Sequence, residues 1–103
     1  MPTQTVTVTP PALMPDATRA QVMGYVRELL PTAVTDFLAT AEAEGTRTTE
    51  VSVADGVYTI QNTFSAAAAA EYKTLMADVS QTVKDTMTSN GWTITFSPET
   101  ADL

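Results

Sequence analysis

The dipeptide Asp55-Gly56 limits what this chain can fold into more than any other feature of the sequence. Asp-Gly is a favoured pair for a two-residue type I′ hairpin, a turn that needs positive φ at both central positions. The segment from Arg47 to Phe64 alternates apolar and polar residues on either side of that pair, which is the pattern of two strands. If Ala54 pairs with Val57, then Val53 faces Tyr58, Val51 faces Ile60 and Thr49 faces Asn62, all on one side of the hairpin. Ser52 with Thr59 and Glu50 with Gln61 fall on the other. A slip of one residue would scramble this sorting, so turn chemistry and alternation support the same register.

Residues Thr3 to Thr9 also alternate, with Gln4, Val6 and Val8 on one side and threonines on the other, until Pro10-Pro11 removes the ladder donors. Asp16 is a candidate N-cap for a long amphipathic helix carrying Val22, Val26, Leu29, Ala33, Phe37 and Ala41 at helical spacing. Pro31 lies inside it and predicts a kink or a break. Gly45 stands where a helix C′ residue belongs. Ser65 is placed to cap a second helix over 66–89, with the stripe Ala68, Tyr72, Leu75, Met76, Val79, Val83 and Met87, and Asn90-Gly91 stops it. Trp92 to Phe96 alternates again, with Thr93 and Thr95 on the second side, and Pro98 ends the strand.

The order β-α-β-β-α-β, with helical connections long enough to be crossovers, predicts an α+β fold. The arrangement expected is a ferredoxin-like two-layer sandwich, with a four-stranded antiparallel sheet and both helices on one face. Residues 1–103 are expected to make one domain, with 97–103 as a flexible tail. One sheet face would hold Val6, Val8, Val51, Val53, Tyr58, Ile60, Trp92, Ile94 and Phe96 against the helices. The other would show Thr5, Thr7, Ser52, Thr59, Gln61, Thr63, Thr93 and Thr95.

Composition narrows the chemistry. The chain has no Cys, which removes disulfides, thiolate metal sites and a thiol nucleophile, and no His, the commonest general base near neutral pH. Its 5 basic against 12 acidic residues give a net charge of −7, the wrong sign for a phosphate backbone, so no nucleic-acid partner is expected. The first residues carry neither a cationic stretch nor an apolar core of signal-peptide length, and the longest small-apolar run is Ala66 to Ala70. Secretion and a membrane partner are therefore not expected, and a cytoplasmic or particle-associated location is.

No residue set qualifies as a catalytic, metal or cofactor site. Glu71, Asp78 and Asp85 recur every seven residues on one helix face, but such neighbours are about 10 Å apart along the axis, too far to share an ion. Asp55 serves the turn. The central-strand aromatics that stack bases in RNA-recognition motifs are replaced here by Thr and Ser. Acylphosphatase-like chemistry would need an arginine-bearing anion loop, which Thr9-Pro10-Pro11-Ala12-Leu13 does not supply.

The segment Thr59 to Met76, a strand running through Phe64-Ser65 into an alanine-rich helix with Glu71-Tyr72, resembles the small dimeric α/β-barrel proteins that include monooxygenase-like and stress-response domains. That resemblance implies dimerisation through the sheet face and a small apolar ligand bound or converted between helices and sheet, with no site residue carried over. The Ala- and Thr-rich composition is in turn similar to that of minor virion proteins of bacteriophages. The function expected from the residues is a non-enzymatic structural or interaction module, a homo-oligomer or part of a larger assembly. Its expected contact face is the one bearing Thr5, Thr7, Ser52, Thr59, Gln61, Thr63, Thr93 and Thr95, because sheets that avoid association usually present lysines there.

Overall fold

A computed structural model describes residues 1–103. In chain order the elements are β1 (Thr3–Thr9), α1 (Arg19–Leu29), α2 (Thr32–Ala43), β2 (Arg47–Ala54), β3 (Val57–Phe64), α3 (Ala66–Met76), α4 (Ser80–Ser89) and β4 (Thr93–Ser97), followed by a 3-10 turn over Thr100–Asp102. The strands form a four-stranded sheet in the order β2-β3-β1-β4, antiparallel at every pairing. The protein is thus α+β, with β1 and β3 in the middle of the sheet and β2 and β4 at its edges.

The hairpin turn has φ of +52° at Asp55 and +75° at Gly56, as a type I′ turn requires. From it the β2-β3 ladder runs Ala54 to Val57, Val53 to Tyr58, Val51 to Ile60 and Thr49 to Asn62. The same phase passes to β1, where Val6 pairs Ile60 and Thr7 pairs Thr59, and on to β4, where Phe96 pairs Val6 and Thr95 pairs Thr7. Period-two alternation therefore sorts the whole sheet into an apolar side, covered by helices, and a hydroxyl side that no helix covers, with Arg19 alone reaching its β2 edge beside Ser52 and Gln61.

The helices start and stop for local reasons. Thr18, rather than Asp16, caps α1: its hydroxyl accepts from the Gln21 amide while the Gln21 side chain accepts from the Thr18 amide, a reciprocal capping box. Tyr58 donates to the carbonyl of Ala17 at 2.6 Å and pins this entry to β3. Leu30 and Pro31 are extended, so the helical connection after β1 consists of two helices. That interruption resets the helical phase. Val34 and Ala41 of α2 are buried, whereas Ala33, expected on the stripe, is exposed. Gly45, at φ +76°, closes α2 with Gly45 N–H to Glu42 C=O and Thr46 N–H to Ala41 C=O, a Schellman end.

The helix expected over 66–89 is also two. The Ala77 and Val79 amides bond three residues back, to Thr74 and Met76, instead of four, and the Ser80 hydroxyl takes the Met76 carbonyl at 3.1 Å. Ser and Thr back-bonding of this kind, beside β-branched Val79 and Val83, favours a bend. The bend lets α3 and α4 follow different cores. Phe64, Ala68, Ala69, Tyr72, Met76 and Val34 form one buried cluster. Val6, Val8, Val22, Tyr58, Ile60, Val83, Met87, Trp92, Ile94 and Phe96 form the other.

Two further features concern the ends of the molecule. Val53, expected in the core, is 58% exposed, because it lies on edge strand β2 beside the turn and beyond the helical cover. At the other end, where the last residues were expected only as a tail, residues 100–102 form the 3-10 turn and Thr100 packs inward, which says nothing of how mobile 97–103 is.

Candidate functional site

The structure offers two surfaces to consider, one on each side of the sheet. On the uncovered side, register sets hydroxyl side chains in rows across the strands. Ser52, Thr59, Thr7 and Thr95 make one row through all four, and Glu50, Gln61, Thr5 and Ser97 make the next. Thr48, Thr63 and Thr3 form a third row, and Thr9 with Thr93 a fourth. The residues expected on this face, Thr5, Thr7, Ser52, Thr59, Gln61, Thr63, Thr93 and Thr95, all lie on it together. Thr5, Thr7, Thr59 and Thr63 are half-buried and the remaining four are exposed. Glu50 is the single ionisable side chain in these rows.

On the covered side a cavity of about 400 Å3 lies between sheet and helices. Its floor is Val6, Ile60, Ile94 and Phe96, and its roof is Met23 and Val26 of α1, Leu30 just beyond it, and Thr35 and Leu38 of α2. It exists where the two helices part at Leu30-Pro31. The exposed residues Arg27, Ala39 and Glu42 also line it, so it reaches solvent on that side.

At one end the apolar lining gives way to polar side chains that the alternation had placed on the core phase. Arg47 points inward from β2, its side chain 12% exposed, and donates through Nε to Asn62 Oδ1 at 3.0 Å and through Nη1 to the Leu38 carbonyl at 3.3 Å. Asn62, only 6% exposed, spends its Oδ1 on Arg47, and its Nδ2 has no protein partner. Glu42 approaches Arg47 Nη1 to 3.6 Å from the surface. Burial lowers the Arg47 pKa below its ordinary value, and the Glu42 carboxylate raises it back in part.

Next to this pair is a closed polar knot. Tyr72 donates to Gln4 Oε1 at 3.2 Å, and Gln4 Nε2 donates to the Pro98 carbonyl at 3.1 Å and the Thr100 hydroxyl at 3.0 Å. Burial pushes the Tyr72 phenol up to about 12, with Arg47 acting in the opposite direction. Thr49, on the same face of β2 as Arg47 and opposite Asn62, has a buried hydroxyl with no hydrogen-bond partner.

None of Gln4, Arg47, Asn62 and Tyr72 stands out in the sequence as functional. Their signal is polar residues on the apolar phase at the same end of three paired strands, with Gln4 opposite Asn62 and Asn62 opposite Thr49. The acidic series Glu71, Asp78 and Asp85 is exposed and divided between α3, the bend and α4, and no three acidic side chains come together to hold a metal ion. No helix is long and apolar enough to cross a membrane. Compared with family models, with curated proteins and with solved structures, the chain has no significant match.

Proposed function

We propose that this chain is a ferredoxin-like split β-α-β-β-α-β sandwich acting as a non-enzymatic assembly module, whose contact is the hydroxyl face of the sheet against a second copy of itself. The central position of β1 and β3 supports that arrangement. The observation that carries the assembly reading is the face itself: four strands wide, uncovered, rich in β-branched hydroxyls and bearing one carboxylate. Threonine presents a methyl and a hydroxyl together, so such a surface loses little on leaving water if its hydroxyls find partners across the contact.

Size decides how strong that contact is. Strand spacing and rise make the face roughly 20 Å on a side, so a pair of copies buries roughly 800 Å² in all, below the roughly 1,200–2,000 Å² of stable specific complexes. Two copies alone associate weakly, and many copies in a larger particle gain by multivalency. The compositional likeness to minor virion proteins is the reason to test a particle as well as a dimer. Sedimentation velocity over a hundredfold concentration range tests the proposal: a mass that rises with concentration supports it, and a monomer throughout that joins no particle ends it.

A second reading, a dimeric α/β-barrel-like protein holding a small apolar ligand, is favoured by the cavity between helices and sheet.

A further inference from the structure

We propose that the cavity binds a small amphipathic monocarboxylate, an alkyl or aryl body ending in one acid group, with the acid held by Arg47 and Asn62. This deepens the second reading above and rests on it for the apolar part of the ligand. The volume of about 400 Å3 falls within the range of small-molecule pockets, and such pockets join an apolar wall to a few convergent polar groups. Here the wall is Val6, Val26, Leu30, Ile60 and Phe96, and the polar groups gather at one end.

Their chemistry selects the head group. The bonds from Arg47 Nε and Nη1 to Asn62 Oδ1 and the Leu38 carbonyl fix the guanidinium, leaving Nη2 without a protein partner. The Asn62 Nδ2 is also unpartnered, in a side chain more than nine-tenths buried. Two fixed donors beside one positive charge call for an acceptor with two oxygens and one negative charge, which a carboxylate supplies. A cationic head would oppose Arg47, and a dianion would meet Glu42 as well.

Glu42 occupies the mouth as a weak internal stand-in. It is 59% exposed and sits 3.6 Å from Nη1, beyond hydrogen-bond length, so an incoming acid can displace it into solvent. That gives the inference a direction: removing the Glu42 charge should tighten binding.

The test is calorimetric titration of the whole chain with decanoate, and with 1-decanol as the neutral probe of the same body. The expected result is saturable one-to-one binding of decanoate, about tenfold or more tighter than decanol. Glu42→Gln, an exposed change, should tighten decanoate binding about 2- to 5-fold and leave decanol unchanged. Arg47→Met, checked for folding by circular dichroism, should abolish the preference for the acid. Equal binding of acid and alcohol would overturn the carboxylate site while leaving the apolar-ligand reading standing. No saturable binding of either probe up to about 1 mM would overturn both. A Glu42→Gln protein that binds decanoate no better than the parent would overturn the displacement of Glu42, and with it the placing of the acid on Arg47.

Discussion

The Tyr72 hydroxyl donates to Oε1 of Gln4 at 3.2 Å, and both side chains are buried. This bond joins α3 to the first strand, and its donor is an acid whose ionisation the core resists: burial moves Tyr72 from 10.0 to about 12. In the unfolded chain the phenol ionises near 10, so the stabilisation is complete below pH 10 and is lost as pH rises toward 12. The loss amounts to about 2–3 kcal/mol in all. Urea unfolding followed at a series of pH values from 9 to 12 should show this decline. In Tyr72→Phe the decline should disappear, while stability at pH 7 falls by about 1–3 kcal/mol because the Gln4 amide loses a partner. An undiminished alkaline decline in that variant would remove Tyr72 as its source.

The hairpin turn predicts a cost without a clash. Gly56 has φ of +75°, and a Cβ added there would meet no atom within 4 Å. Gly56→Val should therefore destabilise by about 1–2 kcal/mol through backbone strain alone, and Gly56→Asn by less, since Asn tolerates this region. Thermal melts of the two variants compare them directly, and equal melting temperatures would refute the strain account.

Trp92 is buried and stacks on Tyr25, with ring centroids 4.6 Å apart. Trp92→Ala should cost about 3–5 kcal/mol, the range for removing a large aromatic from a core. The folded parent should emit at the short wavelengths of a buried indole. Emission like that of indole in water would contradict this placement.

On the hydroxyl face, Thr59 and Thr95 flank Thr7 in one row. Thr59→Lys with Thr95→Lys should leave the monomer folded, at a cost within about 0.5 kcal/mol at exposed Thr95 and about 1 kcal/mol at half-buried Thr59. If two copies meet through this face, the same change brings like charges together and should abolish association. A double variant that still associates as the parent does would remove the face from the contact.

What could be inferred from sequence divides along physical lines. The β2-β3 register is legible because Asp55-Gly56 is a local chemical signal and a slip reverses every side chain. The ends at Gly45 and Asn90-Gly91 are legible for the same reason. The bend at Ala77–Val79 is not, because α3 and α4 keep a continuous apolar stripe and the deviation arises from their packing on separate clusters. Thr18 was hidden by Asp16, two residues earlier, and only the reciprocal bond to Gln21 decides between them. The cavity was illegible because it depends on the angle at which α1 and α2 part, which Pro31 announces without specifying. The inward Arg47, Gln4 and Asn62 were visible as letters on the apolar phase, and their meaning lies in partners from α2, α3 and the last residues.

The bonds from Gln4 to Pro98 and Thr100 also bear on the order in which the molecule forms. β1 is made before the other three strands, yet the Nε2 of its buried Gln4 has no partner until residues 98–100 have been made. The β2-β3 hairpin, closed by a two-residue turn, needs no such wait, and local pairing of this kind forms early while long-range pairing forms late. β1 should accordingly lock in place late and together with β4, which pairs with no other strand, although β1 is central in the sheet. Pulsed hydrogen exchange during refolding should find the β2-β3 amides protected before those that pair β1 with β4, and the reverse order would mean that the sheet assembles outward from its first strand.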